Sequence, residues 1–541
     1  MIIKVDKFGG MAPKIDPLLL PDHLAQSALD CKLGSGTLRA WKVPLSVVTP
    51  SKVGTKQSIY LYGGQYWFHW LEDVDVVRGP IAGDAFERTY WTGDGAPKVT
   101  DSSIATAGMG GTGYPSNSWA LGIPAPATPP SVAVVGSATS SDPALLETRQ
   151  YVVTYVSGYG EEGAPCDLTA AVDVWPGQSV NLSDIPVAPV GNYNITSKRI
   201  YRTNTNSSGD ALLQLVAEIG IATTTYFDTK TGAQLGEVIP SADTENGILW
   251  SVPPTGLKGL ISLPNGSLAG FVGNELCFSE PYQPHAWPGV YRVTLDHPIV
   301  AIAAFGNSIL VTTSNLPYIV TGSDPLNMSV ERLEVGQSCV SKRSMVDMGY
   351  YCIYAAPDGL ALVGSGRAEI ITKDVLDFDY WQGLNPSSIH GYLFDSLYVG
   401  FYNNGNTGGF IFDPKSGDFT LISTYATAGY TDPATGDLYL CVNGVIVKWD
   451  AGATYSTPVW KSKPWLAPRP TNFGAAQVFA PSYPATLKVY ADGALKHTQT
   501  VASSAPFRLP AGFLADKWEF EATGEVTSIA MASTMGELRG A

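Results

Sequence analysis

The chain has 541 residues, of which 45% are apolar and only 15% are charged, against about 25% charged residues in average soluble proteins. Its 33 Lys and Arg stand against 48 Asp and Glu, and the formal charge of −15 argues against a sequence-reading nucleic-acid binder, which carries a basic surface. Six scattered cysteines without a CxxC pair indicate buried thiols in a reducing cytoplasm, and no apolar run is long enough to span a bilayer.

Glycine and proline are unusually frequent and are spread along the whole chain. The 57 Gly and 39 Pro separate many short runs rich in Val, Ile, Tyr and Thr. Tight turns between short β-prone runs are typical of proteins built from many strands. The composition therefore predicts an all-β fold.

The N-terminal part of the sequence, 1–124, predicts an arm followed by a blade. Within residues 1–50, the segment LPDHLAQSALDCKL (20–33) has Pro21 in its first turn and apolar residues spaced as on one face of a helix, at Leu20, Leu24, Ala28 and Cys31. We expect a short helix there. Residues 51–124 predict the first blade region of a propeller, with a hairpin turn at Gly63-Gly64.

Residues 125–245 predict an inserted β-sandwich. A Pro-rich stretch, GIPAPATPP, leads into about seven short strand-like runs, among them RQYVVTYVS and ITSKRIYRTN. Seven strands over such a length without a helix are typical of a fibronectin type III or immunoglobulin-like sandwich. Its own core and Pro-rich entry predict that deleting residues 131–245 leaves the rest of the chain folded.

Residues 246–455 predict a β-propeller, and residues 456–541 a C-terminal β-sandwich. Five segments repeat one shape, an apolar strand, a short polar turn and a second apolar strand, at 267–280, 307–322, 350–364, 395–423 and 431–450. A repeat of this length suits propeller blades. The hairpin at 56–91 could supply one more blade, so that N- and C-terminal strands together close the ring. We therefore expect six blades.

Three segments together resemble a known family. These segments are the N-terminal FGGMAPKIDPLLLPDHLAQSALDCKLGSGTLRAW, the propeller-like middle, and the ending SIAMASTMGEL, which is entered through PRPTNFGAA. They are similar to the tail nozzle proteins of short-tailed phages, also called tail tubular protein B. The resemblance implies a structural subunit of a six-fold ring below the portal and adaptor. Such a ring conducts and retains double-stranded DNA, binds fibres or spikes, and belongs to the virion tail after assembly in the bacterial cytoplasm.

That resemblance implies a homo-oligomer, contacts with head-to-tail connector proteins, and no membrane insertion of its own. A wall past which DNA slides should be neutral or acidic, because Lys and Arg would bind phosphate. If residues 1–40 serve as an assembly arm, their removal should weaken assembly more than folding.

Glycan cleavage is the enzymatic alternative, and it needs two carboxyls roughly 5–10 Å apart beside an aromatic surface. The candidates are Asp374, Asp377 and Asp379 next to Tyr380 and Trp381, and the pair Glu161-Glu162. We expect the first cluster to be a capped turn beside a blade strand and the glutamate pair to lie solvated in a turn.

Other candidate groups are expected to be structural. The turns DPKSGD and DPATGD could hold calcium but have too few carboxylates for an EF-hand loop. The aromatic run YWFHW (66–70) is expected to be a strand buried on both faces rather than a stacking surface. Lys198 and Arg202 should share one strand face and Arg199 the other, and we expect a solvated strand face rather than a phosphate site.

No catalytic, cofactor-binding or metal-binding residue is predicted, and the protein is expected not to be an enzyme. The six histidines are too widely separated in the sequence to form a ligand pair, and neither an HExxH motif nor a phosphate-binding loop occurs. Two other interpretations stay open: a receptor-binding or glycan-cleaving tail component, and an unrelated propeller with a sandwich insert that binds a protein partner.

Overall fold

Short strands joined by tight turns make up most of the protein, with 45% of its residues in strands and 4% in helices. A computed structural model describes residues 1–107, 113–205, 211–243, 245–334, 337–364 and 366–540. The chain divides into two compact units, a first unit of Met1–Leu71, Val300–Ile319 and Glu331–Ala541 and a second unit of Glu72–Ile299 and Val320–Val330. None of the helices in the described part has the length and apolarity needed to cross a bilayer.

The strands up to Val135 alternate with Gly and Pro turns. They are β1 (Ile2–Val5), β2 (Ala25–Leu29), β3 (Cys31–Lys32), β4 (Arg39–Ala40), β5 (Leu45–Val48), β6 (Ser58–Tyr62), β7 (Tyr66–Trp70), β8 (Asp75–Arg78), β9 (Thr89–Gly93), β10 (Gly95–Thr100), β11 (Trp119–Ala120) and β12 (Ser131–Val135).

The following strands continue as far as Arg332. They are β13 (Glu147–Arg149), β14 (Tyr151–Ser157), β15 (Val172–Val174), β16 (Ser179–Ser183), β17 (Ile195–Thr205), β18 (Ala211–Gly220), β19 (Tyr226–Asp228), β20 (Ala242–Asp243), β21 (Ile248–Leu249), β22 (Lys258–Ser262), β23 (Leu268–Val272), β24 (Glu275–Phe278), β25 (Arg292–Thr294), β26 (Ile299–Phe305), β27 (Ser308–Thr313), β28 (Tyr318–Thr321) and β29 (Ser329–Arg332).

The remaining strands complete the chain. They are β30 (Val346–Asp347), β31 (Tyr351–Ala356), β32 (Gly359–Gly364), β33 (Arg367–Ile370), β34 (His390–Phe394), β35 (Leu397–Asn403), β36 (Thr407–Phe412), β37 (Phe419–Ile422), β38 (Ala428–Thr431), β39 (Leu438–Val442), β40 (Val445–Lys448), β41 (Val459–Ser462), β42 (Trp465–Thr471), β43 (Ala475–Phe479), β44 (Ala485–Ala491), β45 (Ala494–Val501), β46 (Phe507–Arg508), β47 (Ala515–Thr523) and β48 (Ser528–Ala532).

Helical structure is short wherever it occurs in the described residues. The α-helix α1 spans Phe378–Gly383, and single 3-10 turns occur at Pro17–Leu19, Pro143–Leu145, Gly232–Gln234, Lys342–Ser344, Pro386–Ser388 and Glu537–Gly540.

Blade-type sheets, each of four antiparallel strands in simple succession, recur along the described chain. The second unit contains β8–β11 and β22–β25, and the first contains β30–β33 and β38–β40, the latter completed by β5. The strands β34–β37 pair in the same succession, but their sheet continues from β37 through β2 to β41 and β47 and has ten strands. The strands β26–β29 form a further sheet, and unit boundaries fall inside three of its strands. The repeating hairpins of the sequence are therefore the middle strands of blades, and the predicted all-β propeller fold is confirmed.

The inserted sandwich consists of two facing antiparallel sheets in the second unit. One has the order β12-β16-β19 and the other the order β14-β17-β18. Alternating side chains from both sheets form a common core that includes Val153, Val180, Leu182 and Ile200. The sandwich predicted for this segment is thus present, with a core of its own.

The C-terminal sandwich includes strands from the other end of the chain. β1 pairs with β48, joining Ile2 to Ala532 and Val5 to Ile529, and β2 pairs with β41. Phe8 packs edge-on against Trp460 at 5.0 Å between ring centroids, and Trp460 Nε1 donates to Gly9 O. The N-terminal segment therefore supplies both strands and core to this sandwich.

The helix predicted over residues 20–33 is wrong, because Ala25–Leu29 is a strand. The register of β2 against β41 shifts between Ala25 and Ser27, a bulge that interrupts the alternation of buried and exposed residues. Asp30 then has a positive φ, which turns the chain so that Cys31 is also buried. Buried residues at 25, 28 and 31 consequently imitate a helical spacing without forming a helix.

Candidate functional site

A pocket of about 170 Å³ opens beside the β3–β4 hairpin of the first unit. Its walls come from three turns of neighbouring strands, and its lining includes Lys32, Trp41, Asp395, Asp413 and Asp418. Three carboxylates around one aromatic ring are the kind of groups that could bind a cation or a sugar hydroxyl. The partners of these side chains decide whether they are free to do so.

Two of the three carboxylates hold the backbone in place. Asp418 Oδ1 accepts from Gly10 N at 2.6 Å, and its Oδ2 accepts from Ser416 Oγ at 2.7 Å. Asp413 accepts from Lys415 N at 2.8 Å and from Ser416 Oγ at 3.0 Å. Both carboxylates therefore stabilise the turn that joins β36 to β37, and Asp418 also binds this turn to Gly10 of the N-terminal segment.

The aromatic side chain in the pocket is not available as a stacking platform. Trp41 is only 3% exposed, and Lys32 Nζ lies 4.4 Å from its ring centroid. The same ammonium pairs with Asp450 Oδ2 at 2.7 Å. Because Lys32 covers the ring and is neutralised by Asp450, the pocket lacks the sugar-binding surface that glycan cleavage requires.

The two DP turns use their aspartates in the same local way. Asp413 and Asp432 each accept from the backbone N–H two residues later, at 2.8 and 3.0 Å. Gly417 and Gly436 follow with φ of +78° and +75°, a conformation that favours glycine. The turn interpretation of both motifs is confirmed, and in the described residues no group of three or more His, Cys, Asp or Glu is placed to hold a metal ion.

The Asp374–Trp381 cluster is a helix start. Asp377 is the N-cap of α1 and accepts from Tyr380 N at 2.7 Å, while Asp379 lies in the first turn. Trp381 is fully buried and donates from Nε1 to Ala356 O at 2.8 Å. The capped turn expected here is confirmed, since the carboxylate and the aromatic ring both have structural partners.

Glu161 and Glu162 are not solvated, so the expectation for this pair is wrong. Glu162 is 2% exposed and accepts from Thr154 Oγ1 at 2.6 Å and Tyr201 OH at 3.0 Å. Burial raises the pKa of Glu162 against the opposing effect of these hydrogen bonds and of Arg199. Glu161 pairs with Arg88 Nη1.

The strand face of Lys198 and Arg202 is buried, and the expectation of a solvated face is therefore wrong. Alternation does place the two residues on one side of β17, but that side points into the sandwich. Lys198 Nζ donates to Pro186 O at 2.9 Å and Thr223 O at 2.5 Å, and burial lowers its pKa. Arg202 pairs with Asp228 Oδ2 at 2.6 Å, and neither side chain can contact phosphate.

The aromatic run and the cysteines behave as expected. Trp67, Phe68, His69 and Trp70 of β7 are all buried, so this strand is covered on both faces. All six cysteines are buried free thiols, and burial raises the pKa of Cys166 to about 11.

Negative charge is concentrated in the second unit, which has 24 Asp and Glu against 10 Lys and Arg, a formal charge of −14. The first unit has 24 Asp and Glu against 23 Lys and Arg, a formal charge of −1. This segregation could have been found from the sequence by counting charges segment by segment.

The inserted sandwich presents carboxylates to solvent while its basic groups are turned inward or paired. Arg149, Lys198 and Arg202 are buried, and Arg199 pairs with Glu162 and Glu218. Lys230 is partly buried and donates from Nζ to Val216 O. The exposed acidic residues of the insert in the described part of the chain are Asp142, Glu147, Asp167, Asp173, Asp184, Glu218, Glu237 and Glu245. Its surface is therefore more negative than its composition alone suggests.

Exposed apolar side chains are scattered over both units. Leu19, Val53, Val190 and Tyr350 are each more than three quarters exposed. Single exposed apolar residues are common on soluble proteins, so these positions do not by themselves define a docking surface.

Comparisons with known proteins give structural matches only. No family model matches the chain, and no curated protein matches it. Among solved structures, it is similar to BBS1N in complex with ARL6DN (10% identity, 76% of this chain and 97% of that one, TM-score 0.30). It is also similar to apo AztD from Citrobacter koseri, with 11% identity over 70% of this chain and 99% of that one and a TM-score of 0.27. A further similar structure is BamB from Moraxella catarrhalis, with 10% identity over 60% of this chain and 99% of that one and a TM-score of 0.25. The assignment of the fold rests on the strand pairings described above.

Proposed function

We propose that this chain is a structural subunit of a short-tailed phage tail nozzle, a ring that extends the portal and adaptor channel. In this role it conducts and retains double-stranded DNA and provides attachment sites for fibres or spikes. The subunit assembles in the bacterial cytoplasm and remains in the virion tail.

The pairing of the two chain ends carries the proposal. The N-terminal segment and the ending SIAMASTMGEL, which both resemble nozzle proteins, lie at opposite ends of the sequence. Strand β1, which directly precedes the N-terminal segment, pairs with β48 of this ending from Ile2↔Ala532 to Val5↔Ile529. Within the N-terminal segment itself, Leu38 exchanges two backbone hydrogen bonds with Val526, just before β48, at 2.9 Å each. The resemblance therefore falls on one folded module rather than on two unrelated pieces of sequence.

The charge distribution supports the same role. A formal charge of −14 in one unit, with the basic side chains of the insert buried or paired, leaves few cations for phosphate. DNA binding by Lys and Arg gains free energy from counterion release, so a surface with few exposed cations binds DNA weakly as it passes.

The candidate residues for glycan cleavage do not favour the alternative. Asp377 caps a helix, Asp413 and Asp418 stabilise a turn, and Glu162 is enclosed by hydrogen bonds. A pair of carboxyls for acid and base catalysis must face the scissile bond, and each of these groups faces protein atoms instead. Asp374 and Asp379 are exposed, but the neighbouring Trp381 is fully buried and offers no surface to a sugar.

The oligomeric mass of the purified protein tests the proposal. Six copies of 57.4 kDa give about 344 kDa, which sedimentation velocity separates from a monomer or trimer. We expect the hexamer, alone or on addition of the adaptor protein, and no release of reducing sugar from bacterial polysaccharide. A trimer that degrades polysaccharide would replace this proposal with a receptor-binding or glycan-cleaving tail component.

A further inference from the structure

One turn of the insert is held in a socket of the same unit. The segment 157–164, SGYGEEGA, follows β14, and Ala164 N donates to Trp250 O at 3.1 Å. Gly163 lies against Ile123, where an added Cβ would come within 2.6 Å of Ile123 O. Backbone contact this close means that the turn is seated firmly rather than lying on a surface.

Aromatic and charged side chains form one side of this socket. Tyr159 donates to Asp101 Oδ2 and packs against Phe86 at 4.9 Å between ring centroids. Arg88 lies 5.4 Å from the Tyr159 ring and bonds Asp84 Oδ2 at 2.7 Å while pairing with Glu161. The Arg88 guanidinium thus joins the blade residue Asp84 to the insert residue Glu161.

His285 forms the other side and is 1% exposed. Its Nε2 lies 3.0 Å from Glu162 O, which makes Nε2 the protonated nitrogen of a neutral ring. Nδ1 has no hydrogen-bond partner and lies 3.7 Å from Glu161 Oε1, and the Trp250 ring packs edge-on at 5.5 Å. In the neutral ring, the lone pair of Nδ1 therefore points towards the Glu161 carboxylate, which already forms an ion pair with Arg88.

We propose that this turn is an acid-released latch, in which protonation of His285 frees segment 157–164 and with it the inserted sandwich from the blades. The latch is a property of the second unit and does not depend on the proposed function.

The sign of the pH dependence follows from burial. Desolvation lowers the pKa of His285 below its ordinary 6.5, and Arg88 acts in the same direction, while Glu161 and the Glu162 carbonyl oppose. A released His285 is solvated and binds a proton near pH 6.5, whereas the seated one does not. The seated state is therefore fully stable above pH 6.5 and loses stability as the pH falls below it.

Most other titratable groups near His285 keep their partners in both states, whereas Asp101 loses the hydrogen bond from Tyr159 on release. Glu162 is bonded by Thr154, Tyr201 and Arg199 of the insert itself, and Asp84 by Arg88 of the blade. Tyr90 and Tyr159 also face the cluster, and burial raises the pKa of both, so they stay neutral under acidic conditions. Glu161 and Asp101 are the carboxylates whose surroundings change together with those of His285.

Hydrogen–deuterium exchange of the full chain tests the latch, with protection factors corrected for the intrinsic effect of pH. For one proton taken up near pH 6.5 on release, the opening equilibrium of residues 157–164 should rise about tenfold between pH 8 and pH 5.5. His285→Gln removes the titration and should abolish this rise. The matched control, His69→Gln, alters a buried histidine of the first unit and should leave it intact.

A second measurement applies even if His285→Gln does not fold. Nuclear magnetic resonance of wild-type chain labelled at histidine Cε1 reports the protonation of His285 directly. Protonation and loss of protection should occur together. The proposal is overturned if the variant keeps the tenfold rise, or if His285 becomes protonated while segment 157–164 stays protected.

Discussion

The two β-sandwiches of this protein are built in opposite ways. The insert draws all strands of its two facing sheets from residues 131–228, and its core includes Val153, Val180 and Ile200. The C-terminal sandwich needs β1 and β2 from the other end of the chain, and Trp460 at its centre packs on Phe8. A sandwich can thus be formed by one continuous segment or by strands from both ends of the chain. Only the sandwich formed by one segment can be recognised in full from a local stretch of sequence.

Removal of residues 1–40 should therefore destabilise the protein more than any other change proposed below. The deletion takes away β1 and β2 and exposes Trp460 and the neighbouring core, so we expect loss of soluble protein rather than loss of assembly alone. Soluble yield and far-ultraviolet circular dichroism measure the outcome. This replaces the expectation from sequence that residues 1–40 act mainly in assembly.

The matched deletion removes residues 131–243 and bridges the ends with a Gly-Ser linker. This chain should stay soluble, because the insert has its own core, although Arg88 and His285 lose their partners. A soluble chain without residues 1–40 that melts like the wild type, or an insoluble one without the insert, would contradict the contrast between the two sandwiches.

Trp460→Ala should give the next largest effect. The side chain is fully buried, and the substitution also removes the hydrogen bond to Gly9 O that ties the N-terminal segment down. Truncation of a buried Trp costs about 3–5 kcal/mol of unfolding free energy. Urea denaturation followed by circular dichroism measures it, and the exposed Leu466→Ala should change the value by less than about 0.5 kcal/mol.

Arg202→Met tests the independence of the insert with a more local effect. It removes the guanidinium that bonds the buried Asp228 carboxylate at 2.6 Å and leaves Arg149 at 3.9 Å. Removal of one member of a buried pair costs about 3 kcal/mol. Hydrogen exchange should show the loss within the insert, in β14, β17 and β18 and in β19, which carries Asp228. Arg292→Met, which removes a half-exposed pair with Glu275, should cost less than about 1 kcal/mol, and destabilisation of the C-terminal sandwich by Arg202→Met would refute the independence.

The fold was largely predictable because its signals are local. Alternating apolar residues and Gly turns predicted the blade hairpins, and the seven-strand pattern predicted the insert. The helix over residues 20–33 failed because a bulge in β2 produces buried residues at helical spacing. The pairing partner that causes the bulge, β41, comes from the C-terminal part of the chain and leaves no local signal near β2.

The surroundings of charged residues were the least predictable feature. Glu161 and Glu162 have the sequence of an exposed turn, but Arg88 and His285, 73 and 123 residues away, enclose them. Alternation correctly grouped Lys198 with Arg202 but could not tell which face of β17 is covered. Burial of a charge depends on partners brought by the fold, and short-range sequence patterns do not contain them.

Electron microscopy of the purified protein, mixed with its adaptor where needed, shows directly whether the protein forms the proposed nozzle ring. We expect rings with six-fold symmetry and a central opening wide enough for double-stranded DNA. Monomers that stay dispersed with the adaptor, or compact trimers without an opening, would contradict it.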